Sequence, residues 1–189
     1  MQTIADQTTT GETGPSPNEP ALDLADLFRA YYPRIYNYLR YRVNAVEDAE
    51  DLIGTVFEQA FKRRAQYDPA RGAFSTWLFR IARNALIDFY RSRERRAAWE
   101  MSDDLPLDLV TPEPSLEGQF VQQEMITRLL EGLNQLNERD QEVISLKFAG
   151  RLRNTEIGEI LDMKEKTVSV VLLRAMRRLR QQLEPEAAQ

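Results

Sequence analysis

The side chains of this chain that can do chemistry are arginines, asparagines and aromatics, because the usual catalytic types are missing. Its 189 residues include no cysteine and no histidine. That removes the thiolate nucleophile, cysteine-ligated zinc, the disulfide, the commonest general base and the commonest transition-metal ligand. Carboxylates remain but form no tight cluster along the sequence, so neither an enzyme, a metal site nor a bound cofactor is expected. What is left is recognition of nucleic acid, and two stretches carry residues suited to it.

The first stretch runs from Phe74 to Arg96. On a helix, Leu78, Ala82, Ala85, Leu86 and Phe89 fall on one side, and Arg80, Arg83, Asn84 and Arg91 on the other. Arginines on a polar face neutralise phosphates, and asparagine reads a base edge through paired hydrogen bonds. Just upstream, Tyr67, Arg71 and Phe74 suit stacking on an unpaired base. The same face also suits a solvated helix over a packed core, and Trp77 reads as core rather than as a stacking platform.

The second stretch is a helix-turn-helix near the C-terminus. A short helix (Thr155 to Leu161) and a tight turn (Asp162-Met163-Lys164) lead into an amphipathic helix reaching about Leu183. Val168, Leu172, Ala175, Leu179 and Leu183 form its predicted buried stripe, while Ser169, Val170, Leu173, Arg174, Arg177 and Arg180 point away. Recognition helices offer their N-terminal residues to the major groove and use basic residues for phosphates. Val170 and Leu173 suit thymine methyls or, alternatively, an apolar protein contact. Arg177, Arg178 and Arg180 also suit a helix end that complements the macrodipole.

The elements that position these faces are helical: periodicity is three to four residues throughout, with little β-branched alternation. The predicted class is all-α, with two small helical domains joined by a flexible acidic linker. Residues 1–20 read as a disordered tail, 21–98 as the first domain, 99–123 as the linker, 124–183 as the second domain and 184–189 as a short C-terminal tail. In the first domain, a helix from Leu22 is followed by a second run after Pro33. Asn44 with Glu47 fits a cap opening a helix to about Arg64, and Ser75 fits a cap for the long helix, with Phe74 and Phe79 as its staple. In the second domain, Asn137 with Asp140 is the expected cap.

The formal net charge of −5 hides this organisation. Residues 21–98 hold 14 bases against 10 acids, residues 99–123 hold six acids and no base, and residues 124–183 hold 11 bases against nine acids. Two mildly basic lobes therefore flank a connector of net charge −6 that carries Pro106, Pro112 and Pro114. No run of about 18 apolar residues offers a membrane span, and no basic-then-apolar leader opens the chain, so membrane insertion is not expected and the expected location is cytoplasmic.

The order of these pieces resembles the extracytoplasmic-function (ECF) subfamily of sigma-70 RNA polymerase sigma factors. Leu27-Phe28 through Tyr41 is similar to the opening helices of sigma region 2. Asp48-Ala49-Glu50-Asp51-Leu52, running to Phe57 and Phe61, resembles the segment that grips the clamp helices of RNA polymerase. Phe74-Ser75-Thr76-Trp77-Leu78-Phe79-Arg80-Ile81-Ala82-Arg83-Asn84 resembles the signature for promoter melting and −10 recognition. Leu133 to Leu136, Glu142-Val143, Glu156-Ile157 and Thr167-Val168, ending in Arg174-Ala175, resemble region 4.

The resemblance implies a dissociable initiation subunit that brings core polymerase to promoter DNA. Tyr67, Arg71, Phe74, Arg80, Arg83, Asn84 and Arg91 would read the −10 element, with a flipped base in the loop at Tyr67–Phe74. Thr167, Ser169, Val170, Leu173, Arg174 and Arg177 would meet the −35 duplex, beside the polymerase flap. Asp48, Asp51, Leu52, Thr55 and Glu58 would bind polymerase. The acidic linker would run through the channel that later takes the transcript, and an anti-sigma factor would be a further partner. Gly54-Thr55 stands where the family usually has Gln-Glu or Gln-Asp. Asp162 replaces the usual turn glycine, Lys164 a capping Ser or Pro, and Ser169 a Lys or Arg, which weakens the expected −35 contact. The competing reading is an autonomous helix-turn-helix regulator that never touches polymerase; a nuclease or recombinase is disfavoured by the missing histidine.

Overall fold

In the computed structural model, the described residues are 24–43, 45–99 and 117–183. Leu24–Arg40 forms one helix, α1, with Pro33 inside it. The sequence predicts a break there, because proline removes a backbone donor and crowds the preceding turn. Ile35, Tyr38 and Leu39, just beyond the proline, are fully buried, and their packing holds the last turns on the same axis.

Helix α2 (Val46–Lys62) buries Ala49, Leu52, Ile53, Val56 and Ala60. Its N-cap is Ala45, which supplies no side-chain bond; Glu47 and Asp48 in the first turn complement the helix dipole instead. The expected cap, Asn44, lies outside the described residues. Two single 3₁₀ turns, Arg64–Gln66 and Pro69–Arg71, carry the chain to α3 (Phe74–Trp99). Ser75 does not cap α3: it sits within the helix, and its hydroxyl is turned to another element. Phe74 and Phe79 form no staple either, since Phe74 packs on Tyr31 and Tyr67 while Phe79 packs on Tyr38.

Helix α4 (Glu117–Asn134) begins inside the segment expected to be linker; residues 100–116 lie outside the described ones, as do the two predicted tails. Helix α5 (Glu138–Ile144) has the predicted cap, with the Asp140 N–H donating to Asn137 Oδ1 at 3.0 Å. It runs on as one π turn, Ser145–Ala149, and then come α6 (Asn154–Leu161) and α7 (Glu165–Leu183). The described residues contain helices and turns and no strand, as an all-α chain requires.

The two lobes share one core. Ile35, Tyr38 and Leu39 of α1 and Leu78, Phe79, Ala82 and Leu86 of α3 belong to the same buried cluster as Val143, Leu146, Leu152, Ile157 and Val168 from the second half. A smaller cluster of Leu133, Leu136, Ile144, Ala175 and Leu179 holds α4, α5 and α7 together. At the contact between lobes, Gly150 lets the backbone approach an aromatic ring. A Cβ there would sit 2.9 Å from Cε1 of Phe79 and 2.6 Å from the Leu146 carbonyl oxygen. Several polar groups at the same seam are paired across it. The Tyr38 hydroxyl donates to Glu142 Oε1 at 2.8 Å, and Arg34 donates from both Nε (2.9 Å) and Nη2 (2.6 Å) to the Gly150 carbonyl.

Candidate nucleic-acid interface

Helix α3 buries the face expected of it. Leu78, Ala82, Ala85 and Leu86 are buried and Phe89 is half-buried. Of the four polar residues expected opposite, Arg80, Asn84 and Arg91 are exposed and Arg83 is half-buried. Ahead of the helix, the loop folds on itself: Asp68 accepts from the Ala70 N–H at 2.9 Å, and the Tyr67 hydroxyl donates to the Gly72 carbonyl at 3.3 Å. The Tyr67 ring packs edge-on against Phe74 (5.1 Å between centroids) and tilted against Trp77 (5.5 Å). Trp77, expected as core, is half-buried and belongs to this aromatic group.

Loop and helix together enclose a recess of about 340 Å³, lined by Tyr67, Asp68, Arg71, Thr76, Trp77 and Arg80 among others. Of the loop and α3 residues expected at the −10 element, it brings together Tyr67, Arg71 and Arg80; Phe74 backs the Tyr67 ring, and Asn84 and Arg91 lie further along the exposed side of α3. The sequence reading overlooked Thr76. It is 3% exposed, lines the recess, and its Oγ1 makes no hydrogen bond within the described structure. A buried hydroxyl without a partner is costly, so a recess that holds one favours a polar occupant. The signal was present: Thr76, Arg80 and Arg83 follow steps of four and three, which is one helix face.

Part of this face is covered by the second lobe. Arg80 donates from Nη2 to the Glu159 carbonyl on α6 at 2.7 Å, and the Ser75 hydroxyl donates to Glu156 Oε1 at 2.5 Å. Arg83 places Nε 3.6 Å from Glu142 Oε1, and Arg42 places Nη2 3.4 Å from Glu142 Oε2. Burial, and then the neighbouring Glu142 carboxylate, push the Tyr38 phenol well above its ordinary value, so it remains a hydrogen-bond donor. For Glu156, burial pushes upward, but hydrogen bonds from the Ser75 hydroxyl and the Arg153 backbone and guanidinium outweigh it and hold the carboxyl below its ordinary value.

The helix-turn-helix is α6, the turn at 162–164, and α7. Asp162 takes the left-handed conformation (φ 53, ψ 50) that the missing glycine would have supplied. The glycine that the turn does need is Gly158: the Met163 N–H bonds its carbonyl at 2.8 Å, and a Cβ on it would lie 2.5 Å from the Met163 carbonyl oxygen. Val168, Ala175 and Leu179 are buried and Leu172 is half-buried, as predicted. Leu183, predicted to be buried, is 38% exposed because the last turn of α7 runs past the small core. Thr167, Ser169, Val170, Leu173, Arg174 and Arg177 are all exposed. Ser169 is also held in place: its Oγ accepts from Asn154 Nδ2 at 3.0 Å and donates to the Glu165 carbonyl at 3.1 Å. Arg178 forms an ion pair with the buried carboxylate of Asp140 on α5, so it braces α7 on α5 while half of its side chain stays exposed.

On α2, Asp51, Thr55 and Glu58 share one exposed face, with the Thr55 hydroxyl bonded to the Asp51 carbonyl and Lys62 paired with Glu58. Asp48 is half-buried beside Arg93, 3.9 Å away. Leu52 corrects the sequence reading: at 6% exposure it belongs to the core, and steps of three and four from Ala49 to Val56 put it on the inner side. Gly54 is exposed, and no atom lies within 4 Å of where its Cβ would be, so no close helix approach requires a glycine there. Among the described residues, no group of three or more acidic side chains is placed to hold a metal, and no helix is long and apolar enough to cross a membrane.

Comparison with known proteins accounts for both halves of this arrangement. Residues 27–96 match Sigma-70 region 2, and residues 126–179 match Sigma-70, region 4. The ECF RNA polymerase sigma factor SigW of Bacillus subtilis is 31% identical over 169 residues, covering 84% of this chain and 88% of the relative. The ECF RNA polymerase sigma factor BldN of Streptomyces coelicolor is 29% identical over 161 residues, 85% of this chain, which spans 60% of that protein's length. The sigma factor RpoE from Bartonella quintana, solved in complex with the anti-sigma factor NepR, has the same fold, with a TM-score of 0.68 at 22% identity and coverage of 87% of this chain and 98% of that one. The chain belongs to the sigma-70 family of RNA polymerase sigma factors, in its ECF subfamily.

Proposed function

We propose that this sigma factor docks on core polymerase through α2, opens and reads the −10 element with α3 and the loop before it, and binds the −35 duplex with α7. The observation that carries this reading is the recess at Tyr67, Thr76 and Trp77. It offers aromatic faces and an unpaired buried hydroxyl beside the exposed Arg80–Asn84 face, a combination suited to an unstacked base with its phosphates. Asp51, Thr55 and Glu58 supply the contact to the polymerase clamp, joined by Asp48 at its edge. Thr167, Ser169, Val170, Leu173, Arg174 and Arg177 form the major-groove side of region 4, next to the polymerase flap.

The acidic segment between the domains imitates nucleic acid in the transcript channel, in keeping with its net −6 charge. Val170, Leu173 and Met176 leave an apolar stripe exposed on α7, a surface suited to an anti-sigma partner in the absence of DNA. The protein acts in the cytoplasm, where polymerase and promoter are, and contributes binding rather than chemistry of its own.

The test is run-off transcription from a genomic promoter library with purified chain and core polymerase. Promoter-dependent transcripts are expected. Polymerase binding without them would overturn the initiation role, and absence of polymerase binding would favour an autonomous regulator.

A further inference from the structure

Three side chains from separate elements form one polar chain beside the N-terminal part of α7. Lys147, in the π turn, donates from Nζ to Asn154 Oδ1 at 2.9 Å. Asn154, the first residue of α6, donates from Nδ2 to Ser169 Oγ at 3.0 Å. Ser169 donates in turn to the Glu165 carbonyl, one turn back in α7, at 3.1 Å. Lys147 and Asn154 are half-buried, and Ser169 is exposed. These bonds fix hydrogens that are ordinarily free to choose. An ammonium donates and cannot accept, so the Asn154 amide must turn its oxygen to Lys147 and its NH2 to Ser169. A serine hydroxyl can donate or accept, and by itself it reads either kind of base edge. Here its hydrogen is committed to the Glu165 carbonyl and one lone pair to Asn154. What remains among the described residues is one N–H on Asn154 Nδ2 and one lone pair on Ser169 Oγ, a donor and an acceptor 3.0 Å apart. Adenine is the base that shows the major groove an acceptor, N7, beside a donor, N6. Guanine shows two acceptors, one of which would face the Ser169 lone pair.

We propose that Asn154 and Ser169 together select an adenine in the −35 duplex, Asn154 donating to N7 and Ser169 accepting from N6. Lys147 is the positioning residue: it acts through the amide, whose orientation it fixes. The inference rests on the reading of α7 as the −35 helix and adds its base specificity. It also gives the departure at Ser169 a consequence. Where the family has Lys or Arg, an all-donor side chain suits guanine or phosphate. The serine held by Asn154 and Glu165 offers a directed acceptor instead, and the donor beside it comes from a different helix.

The test uses the full-length chain assembled with core polymerase and promoter fragments in which each −35 base pair is replaced in turn. At one position the native complex should favour adenine over guanine about ten-fold. An adenine analogue with carbon in place of N7 should lose most of that preference. Asn154→Asp keeps the shape of the side chain and removes its donor, so the preference should move to cytosine, whose N4 donates to a carboxylate. Ser169→Ala, on an exposed helix position, should reduce the adenine preference several-fold and leave polymerase binding unchanged. Lys147→Met removes a charge and so weakens binding to all sequences; its informative readout is the ratio between bases, which should fall several-fold and be restored by Lys147→Arg. An unchanged ratio there removes Lys147 from its positioning role. A brace between helices would leave every ratio as it is, and unchanged ratios in Asn154→Asp and Ser169→Ala overturn the proposal. If the native complex shows no base preference anywhere in the −35 element, the reading of α7 fails and this inference with it. If it shows preferences that do not depend on Asn154 or Ser169, the reading of α7 stands and this inference alone falls.

Discussion

Ser75, in the first turn of α3, donates its hydroxyl to the carboxylate of Glu156 on α6, 81 positions later in the chain. The same carboxylate accepts from the Arg153 N–H at 2.8 Å and so closes the first turn of its own helix. One side chain therefore both caps a helix of the second lobe and fastens that lobe to α3.

This double role makes the fastening sensitive to acid. The Glu156 carboxyl is held below its ordinary value of about 4.5, so its contribution is fully present above that value and is lost as pH falls through the lowered one. Thermal unfolding followed across the acid range should show stability falling in the native chain. Glu156→Gln should be less stable near neutrality, and its decline should be shallower. Parallel curves for the two proteins would show that Glu156 is not the responsible group.

Asn84→Ala separates reading from docking. Asn84 is exposed, and no bond to the second lobe involves it, so its loss should reduce open-complex formation about ten-fold or more, in line with 1–3 kcal/mol for a base-edge contact, and leave polymerase affinity unchanged. Arg83→Ala should impair opening too, but it also removes an ion pair with Glu142 and so should loosen the contact between the lobes. If either variant lost polymerase binding and opening in equal measure, α3 would not be the reading helix.

Ser169→Arg tests the orientation of α7. Ser169 is exposed and tethered to Asn154 and to the helix backbone, and an arginine there reaches the phosphates beside the groove. Affinity for −35 duplex should rise, and the slope of log K against log salt should steepen by about one. An unchanged slope, measured by fluorescence anisotropy at several salt concentrations, would turn this position away from DNA.

Gly54 and Gly158 should behave in opposite ways. Gly54→Ala fills open space in mid-helix and should stabilise by about 1 kcal/mol, with a melting temperature about 2–4 °C higher. Gly158→Ala drives a Cβ into the Met163 carbonyl and should destabilise by about 1–3 kcal/mol, as overpacking does. Chemical denaturation of both variants checks the pair, and a stable Gly158→Ala would mean that the turn at 162–164 has slack.

Much of the local architecture is legible along the chain. Periodicity located the inward faces of α3 and α7, the Asn137 cap lay where its residue type indicates, and the helix-turn-helix was bounded to within a residue. The misses have local causes. Pro33 was read as a break, but burial of Ile35, Tyr38 and Leu39 overrides the backbone penalty. Leu52 was assigned to a surface by motif, when its spacing from Ala49 and Val56 puts it inside. Thr76 was passed over because a threonine in an arginine-rich helix has no signature of its own until its hydroxyl is seen without a partner.

What the sequence determined by itself was the set of helices, their apolar sides and the two basic lobes, because these follow from interactions between residues three or four apart and from charge counted along the chain. The tertiary structure decided which polar and basic residues are already engaged. Ser75, Arg80 and Arg83 meet Glu156, Glu159 and Glu142 across separations that no local spacing encodes, and Gly150 looks like any loop glycine until Phe79 is packed against it. Polar pairing between distant segments depends on how two helical faces come together, and that is settled only when the shared core closes.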